Sequence, residues 1–368
     1  MPPAETVQAP PHDAPAGPAY YDLPMLKPPV WKWQIATYFF LGGLSAGAFI
    51  LARMAERFGG DNFAEVRRLG TCTALAALAP CPLLLIDDLG DKSRFHHMLR
   101  VWKPSSPMNL GTWVLTAIAP VAAAAAGREL LRERAARSRG LNVVAGAVGV
   151  VADVAGVPLA FLLATYTGVL LTNNATPVWA QNKWMSPMFA IGGLSTGASA
   201  ISLAMALRHR RGGEAPAEKA LKHFSTAAHV AELCAFSGYL LSLKPVVRRP
   251  FTTGTMKRHT RFTFGALAVA EVLKRVPVKG RLGKSLRVAG HVASLASAFS
   301  MRWSVVYGAH ESGKDAEAAR ASSRARDPGR YGWIVGAAAE RGGRAESVAD
   351  PAAISTIDPR LKLNPNHR

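Results

Sequence analysis

Residues 39–51 read FFLGGLSAGAFIL, and residues 189–201 read FAIGGLSTGASAI. The two stretches share the core GGLS-x-G at an offset of 150 residues. Each lies inside an apolar run of the length that a helix needs to cross a bilayer, roughly 20 residues. Outward from this pair the match continues. Apolar segments start near 69 and 219, and VVAG at 143 aligns with RVAG at 287. The chain therefore reads as two similar halves of four helices each. An even number of crossings per half inserts both halves the same way up, so the repeat is parallel, about an axis along the membrane normal. Gly43 and Gly47, like Gly193 and Gly197, are spaced to let one helix approach another closely.

The expected fold is an all-α integral membrane protein with about eight transmembrane helices in two four-helix bundles. Of the 368 residues 49% are hydrophobic, and the apolar stretches alternate with short loops dense in Lys and Arg. Spans are expected near 33–53, 69–86, 108–127, 143–171, 185–207, 221–243, 262–274 and 286–307. The seventh is short and the fourth long, which leaves their ends least defined. The first bundle then covers 31–172 and the second 183–308, with a flexible tail at 1–30 and a soluble tail at 309–368. Residues 1–30 are rich in Pro and Ala and lack the basic-then-apolar order of a signal peptide.

The net charge of +20 does not point to nucleic acid, because the cations sit at helix ends. Arg128, Arg132, Arg134, Arg137 and Arg139 fall between helices three and four, and Arg208, Arg210 and Arg211 follow helix five. Such clusters set membrane topology. The loops after helices one, three, five and seven hold more Lys and Arg than the opposite side, though cations in the C-terminal tail narrow the margin. Both termini are accordingly expected on the periplasmic side of a bacterial inner membrane. Cys72, Cys81 and Cys234 lie within spans without metal-ligand spacing, so no iron–sulfur cluster is expected in this chain.

Polar residues inside spans are costly and mark candidate sites. Helix one starts with VWKWQIATYFF, which places Trp31, Lys32, Trp33, Gln34 and Tyr38 at its outer end. Helix two ends there with Asp87, Asp88 and Asp91, helix three begins there with Asn109, and helix four ends there with Tyr166 and Thr167. Aromatics, carboxylates and donors thus gather at one level of one bundle. The competing reading is an interfacial belt of Trp and Tyr with solvated carboxylates at helix ends.

At these residues the sequence resembles the NrfD/polysulfide-reductase membrane-anchor family. The resemblance rests on YYDLPMLKPPVWKWQIATYFFLGGLSAGAFILA at 20–52, DLGDKSRFHHMLRVWKPSSPMNLGTWVL at 88–115, TYTGVLL at 165–171 and TPVW at 176–179. It covers roughly residues 20–310 and is strongest in the first half. The resemblance implies an eight-helix, haem-free subunit that reacts with quinone (menaquinone or ubiquinone) from the membrane pool. It also implies a docked iron–sulfur subunit, usually joined to a molybdenum-type catalytic subunit. Carried over, the pocket lies between helices one, two and four near the outer face. Tyr166 then corresponds to the quinone-contacting tyrosine, and Tyr38 stands where some members have histidine. Gln34 or Lys32 becomes the candidate second partner of the headgroup, and Asn109 lies at the same level.

The residue types suit that chemistry, because a phenol can hydrogen-bond a carbonyl oxygen and a carboxylate can relay protons to it. Asp88 is the first candidate carboxylate and Asp87 its competitor; helix capping explains either equally well. Asp153 sits thirteen residues before Tyr166, about 20 Å toward the cytoplasm at the helical rise, with Pro158 between them. It reads equally as a proton-path residue or as a structural ion-pair partner. In the second bundle His229 and Glu232 share a helix face, with Glu271, His291 and Arg302 on neighbouring helices; a structural salt-bridged cluster is expected, with a second proton route as its alternative. His229 and His291 differ in depth by about 6 Å at the helical rise, which disfavours a haem between them. The alternative functions are a secondary transporter, since parallel repeats occur there too, or a haem-b quinol-oxidising anchor.

Overall fold

A computed structural model of the protein describes residues 26–27, 29–103, 105–180, 182–208, 216–278 and 280–326. Most of the two expected tails, and Arg210 and Arg211, lie outside the described residues. Within them the structure is helical, and no strand occurs among the described residues. The helices are α1 (Trp33–Phe58), α2 (Ala64–Leu78), α3 (Cys81–Asp87), α4 (His97–Arg100), α5 (Pro107–Arg137), α6 (Arg139–Val151), α7 (Val157–Thr172), α8 (Met185–Arg208), α9 (Pro216–Ser242), α10 (Pro245–Thr252), α11 (Lys257–Arg275), α12 (Gly280–Lys314) and α13 (Ala316–Arg326). The described helices up to Ser322 form one unit.

Five helical stretches are long and apolar enough to cross a membrane: Trp33–Phe58, Asp61–Asp87, Pro107–Arg137, Arg139–Thr172 and Met185–Arg208. Beyond these, α9, α11 and α12 are also long, at 27, 19 and 35 residues, but carry more charge. The expected second span is broken at Ala79–Pro80, where Pro80 and Pro82 remove two backbone donors and divide α2 from α3. The fourth is one continuous rod only because Ala152–Gly156 forms a π-helical turn between α6 and α7. Pro158 lies two residues beyond that turn; its ring would crowd the carbonyl of residue 154, and a widened turn relieves that clash. Helix α1 ends at Gly59, and Gly60 then takes a positive φ of 59° that favours glycine. α12 runs past residue 309, and Ala318 and Ala319 of α13 are buried. The protein thus stays packed against the helices well beyond the expected start of a soluble tail.

The two GGLS-x-G stretches meet each other. A Cβ on Gly47 would strike the Gly193 carbonyl, and one on Gly197 would strike the Ala48 nitrogen and the Gly47 backbone. Phe39 packs edge-on against Phe189 with centroids 5.6 Å apart. The α1–α8 crossing is therefore made between matched positions of the repeat, at backbone distance. The same glycines serve a second purpose. Arg302 of α12 is 0% exposed, and a Cβ on Gly43 or Gly192 would lie 3.2 or 3.0 Å from its Nη2. Its guanidinium also faces the rings of Phe40 and Phe189 at 5.9 and 5.8 Å. Small residues leave the room, and aromatic faces favour the cation.

Candidate functional site

The start of α1, the end of α3, the start of α5 and the end of α7 enclose a cleft of about 480 Å³, part of it open to the exterior. Its walls are Trp31, Ile35, Tyr38 and Phe39 from α1 and the turn before it, Leu85, Asp88 and Leu89 from the end of α3, Met98 from α4, Met108 and Thr112 from α5, and Tyr166 and Leu170 from α7. Tyr38 is 1% exposed, and its hydroxyl lies 3.3 Å from that of Tyr166, to which it donates. Gly111 makes the Tyr166 position available, since a Cβ there would overlap the tyrosine ring. Two phenols from different helices thus share one polar point in a mostly apolar cleft that Asp88 and Thr112 also line.

The back wall is held by residues far away in sequence. Trp31 lies against Trp179 at 5.2 Å between centroids, and the Trp179 indole donates to the Val305 carbonyl at 2.9 Å. The Trp31 carbonyl is bonded by His310 Nε2 at 2.8 Å. The TPVW segment therefore acts as a wedge joining the cleft to α12. Trp31 and TPVW stand out in the sequence, but His310, Met98 and Met108 do not; nothing in local spacing links them to this cleft.

The two adjacent aspartates separate cleanly. Asp87 accepts from Gln34 Nε2 at 2.9 Å and from Lys92 Nζ at 2.6 Å, outside the cleft. Asp88, one residue beyond α3, lines the cleft. Partial burial raises the Asp88 carboxyl above its ordinary value, while Lys32 beside it acts in the opposite direction. Lys32 itself is exposed. Gln34 is not among the cleft walls; its amide nitrogen is committed to Asp87, and its Oε1 is buried with no partner among the described residues. Asn109 is committed elsewhere. It donates to the carbonyls of Met98 and Val101 at 3.1 and 2.9 Å and accepts from the Lys103 N–H at 2.7 Å, so it fastens the loop that roofs the cleft.

Asp153 lies in the π turn at the far end of the bundle and takes an ion pair from Arg53 Nε at 2.8 Å. Arg53 also pairs with Glu56, which binds Arg128 at 2.7 Å, and Glu129 holds Arg67 at 3.1 Å. This network ties α1, α2, α5 and the π turn together. In the second half His229 does not pair with Glu232. His229 Nδ1 meets Glu271 at 2.7 Å and its Nε2 meets Ser199 at 3.1 Å, whereas Glu232 bonds Ser195 and faces Arg302 at 4.0 Å. Residues three apart share a broad face, but their side chains diverge here, His229 reaching α11 and Ser199 of α8 and Glu232 reaching Ser195 of α8 and Arg302 of α12. Both His229 nitrogens are thus engaged by protein groups. Among the described residues no group of three or more His, Cys, Asp or Glu is placed to hold a metal.

Known proteins match parts of this sequence. The C polypeptide of the polysulfide reductase from Wolinella succinogenes is 38% identical over 95 residues, 25% of this protein and 30% of that one. Protein NrfD from Escherichia coli is 27% identical over 194 residues, 49% and 61% of the two proteins. The C component of the selenate reductase from Mesobacillus selenatarsenatis is 36% identical over 76 residues, 21% and 18%. The aligned stretches thus span less than two thirds of each relative. The family model described as polysulphide reductase, NrfD, matches residues 23–310, which takes in every wall of the cleft. The protein belongs to the NrfD polysulphide reductase family.

Proposed function

We propose that this protein is the quinone-reactive membrane subunit of a respiratory oxidoreductase complex and exchanges electrons with a docked iron–sulfur subunit. The observation that carries the reading is the Tyr38–Tyr166 hydroxyl pair, 3.3 Å apart, in an apolar cleft that also exposes Asp88. The residues fit a quinone headgroup, which needs flat apolar walls and a donor for its carbonyl oxygen. When bound, a quinone takes up or releases two electrons together with two protons. Tyr166 supplies the hydrogen bond that orients the ring, and Tyr38 fixes the direction of the Tyr166 hydroxyl. Asp88, whose partial burial favours the protonated form, is the group placed to give or take a proton between the cleft and water. Trp31 and the two methionines close the walls. The membership of relatives in polysulfide and selenate reductases supports a partner assembly with its own catalytic subunit, of molybdenum type. A photoreactive quinone analogue should label peptides of α1, α3 and α7 around Tyr166 in the purified protein. Labelling confined to other helices would place the site elsewhere.

The eight-span arrangement belongs to the same proposal, with α9, α11 and α12 crossing alongside the five apolar stretches and the two halves related by an axis at the α1–α8 crossing. Both termini then face the periplasm, on the side of the cleft and of the docked partner. A cysteine introduced at position 105 should react with an impermeant thiol reagent added to intact spheroplasts. One at position 134 should react only after permeabilisation. The reverse pattern inverts the orientation and moves the partner to the cytoplasm.

A further inference from the structure

A lateral groove between α11 and α12 is separate from the cleft and has about 1370 Å³ of space, much of it open. Its polar end is formed by Thr255, Arg258, His259 and Ser300, and its apolar length by Phe262, Phe299 and Trp303. We infer that this groove binds an anionic phospholipid, with its phosphodiester at Arg258 and an acyl chain laid along the aromatic wall.

Charge carries the choice of occupant. Lys257, Arg258 and Arg261 lie within the first five residues of α11, and none of the three forms an ion pair among the described residues. Glu311, beside Thr255 at this end, is already occupied: it accepts from the Thr255 N–H at 2.9 Å and from the Thr255 hydroxyl at 2.6 Å. Cations without counter-ions above an outward-facing apolar channel match a ligand that is anionic at one end and hydrocarbon at the other. A zwitterionic lipid would bring its own cation to the same place. The wall is also preformed. His259 stacks on Trp303 at 6.4 Å, Trp303 on Tyr307 at 4.5 Å, and Phe299 packs edge-on against Phe40 of α1. Phe262 is half exposed in the open side of the channel. An acyl tail lying here would cover aromatic surface without any rearrangement of the helices.

The inference rests on α11 and α12 lying in the bilayer, as in the proposed topology; the thiol-labelling pattern tests that premise separately from lipid binding. The direct test offers the delipidated full-length protein in detergent an equal mixture of phosphatidylglycerol and phosphatidylethanolamine with identical acyl tails. Native mass spectrometry then reads the lipid retained. The wild-type protein should retain the anionic lipid in preference. Arg258→Gln combined with Arg261→Gln should reduce that preference about tenfold, while Arg281→Gln, on an exposed position of α12, should leave it unchanged. If the double variant does not fold, quenching of Trp303 fluorescence by brominated phosphatidylglycerol, read as the difference between wild type and Trp303→Phe, gives the same answer. Equal retention of both lipids by the wild type overturns the assignment. So does full displacement by inorganic phosphate, which would indicate a simple anion site, or a second copy of the protein protecting the groove in place of lipid.

Discussion

Replacing Tyr166 with Phe should lower quinone-coupled electron transfer by the assembled complex several-fold to about tenfold, while transfer from the partner subunits to an artificial dye stays at the wild-type rate. The ring and its contact with Gly111 remain, so the helices should assemble normally. Only the hydroxyl is lost, and with it a hydrogen bond worth on the order of 1 kcal/mol, where 1.4 kcal/mol is a factor of ten. The loss also strands the Tyr38 hydroxyl, which is buried at 1% exposure and donates to Tyr166. A buried donor without a partner costs about as much again. Tyr38→Phe should therefore be the milder change, because Tyr166 keeps its own proton for the headgroup. In the double variant the two effects should not add, since the hydroxyls act as a pair. Quinone turnover by Tyr166→Phe at the wild-type level would show that the tyrosine is an interfacial anchor and would remove the cleft from the mechanism. A fall in dye activity as well would mean damaged assembly.

What the sequence could reveal about this site followed from what is local. VWKWQIATYFF, the paired aspartates and TYTG lie at helix ends on one level, and helical rise alone brings them to one layer. Their division of labour was not legible. Asp87 and Asp88 are adjacent, and only the direction in which α3 ends decides that Gln34 and Lys92 take Asp87 while Asp88 lines the cleft. Asn109 has the right depth but spends its amide on the Met98–Lys103 loop, a choice set by a tertiary turn. Similarly, i,i+3 spacing placed His229 beside Glu232, yet the identity of each partner depended on which neighbouring helix came nearest. The π turn at Ala152–Gly156 could be anticipated as a disturbance from Pro158, but not as the seat of an Asp153–Arg53 ion pair. The repeat was legible because it is a pattern in the sequence itself. That its glycines also accommodate Arg302 was not, because that residue lies more than a hundred positions away.

Gly197→Ala should prevent most of the protein from accumulating in the membrane, and what remains should unfold several degrees lower in detergent. The added methyl would collide with the Ala48 nitrogen and the Gly47 backbone. Backbone has no rotamer with which to retreat, so the whole α1–α8 crossing must open. Separation by even a fraction of an ångström forfeits a large share of the dispersion contacts along both helices, and overpacking of this kind typically costs about 1–3 kcal/mol or more. Without a strong hydrophobic drive between helices in lipid, close packing is a main source of their association, so little else offsets the loss. Gly43→Ala offers a graded comparison. Its methyl would lie 3.2 Å from Arg302 Nη2, a side-chain atom that can shift, although Phe40 and Phe189 restrict how far. That variant should be intermediate. Gly146→Ala meets nothing within 4 Å and should match or slightly exceed the wild type, because alanine is the better helix former. Thermal unfolding followed in detergent orders the three. If Gly197→Ala assembles and melts like Gly146→Ala, the matched glycines are not the contact that joins the two halves.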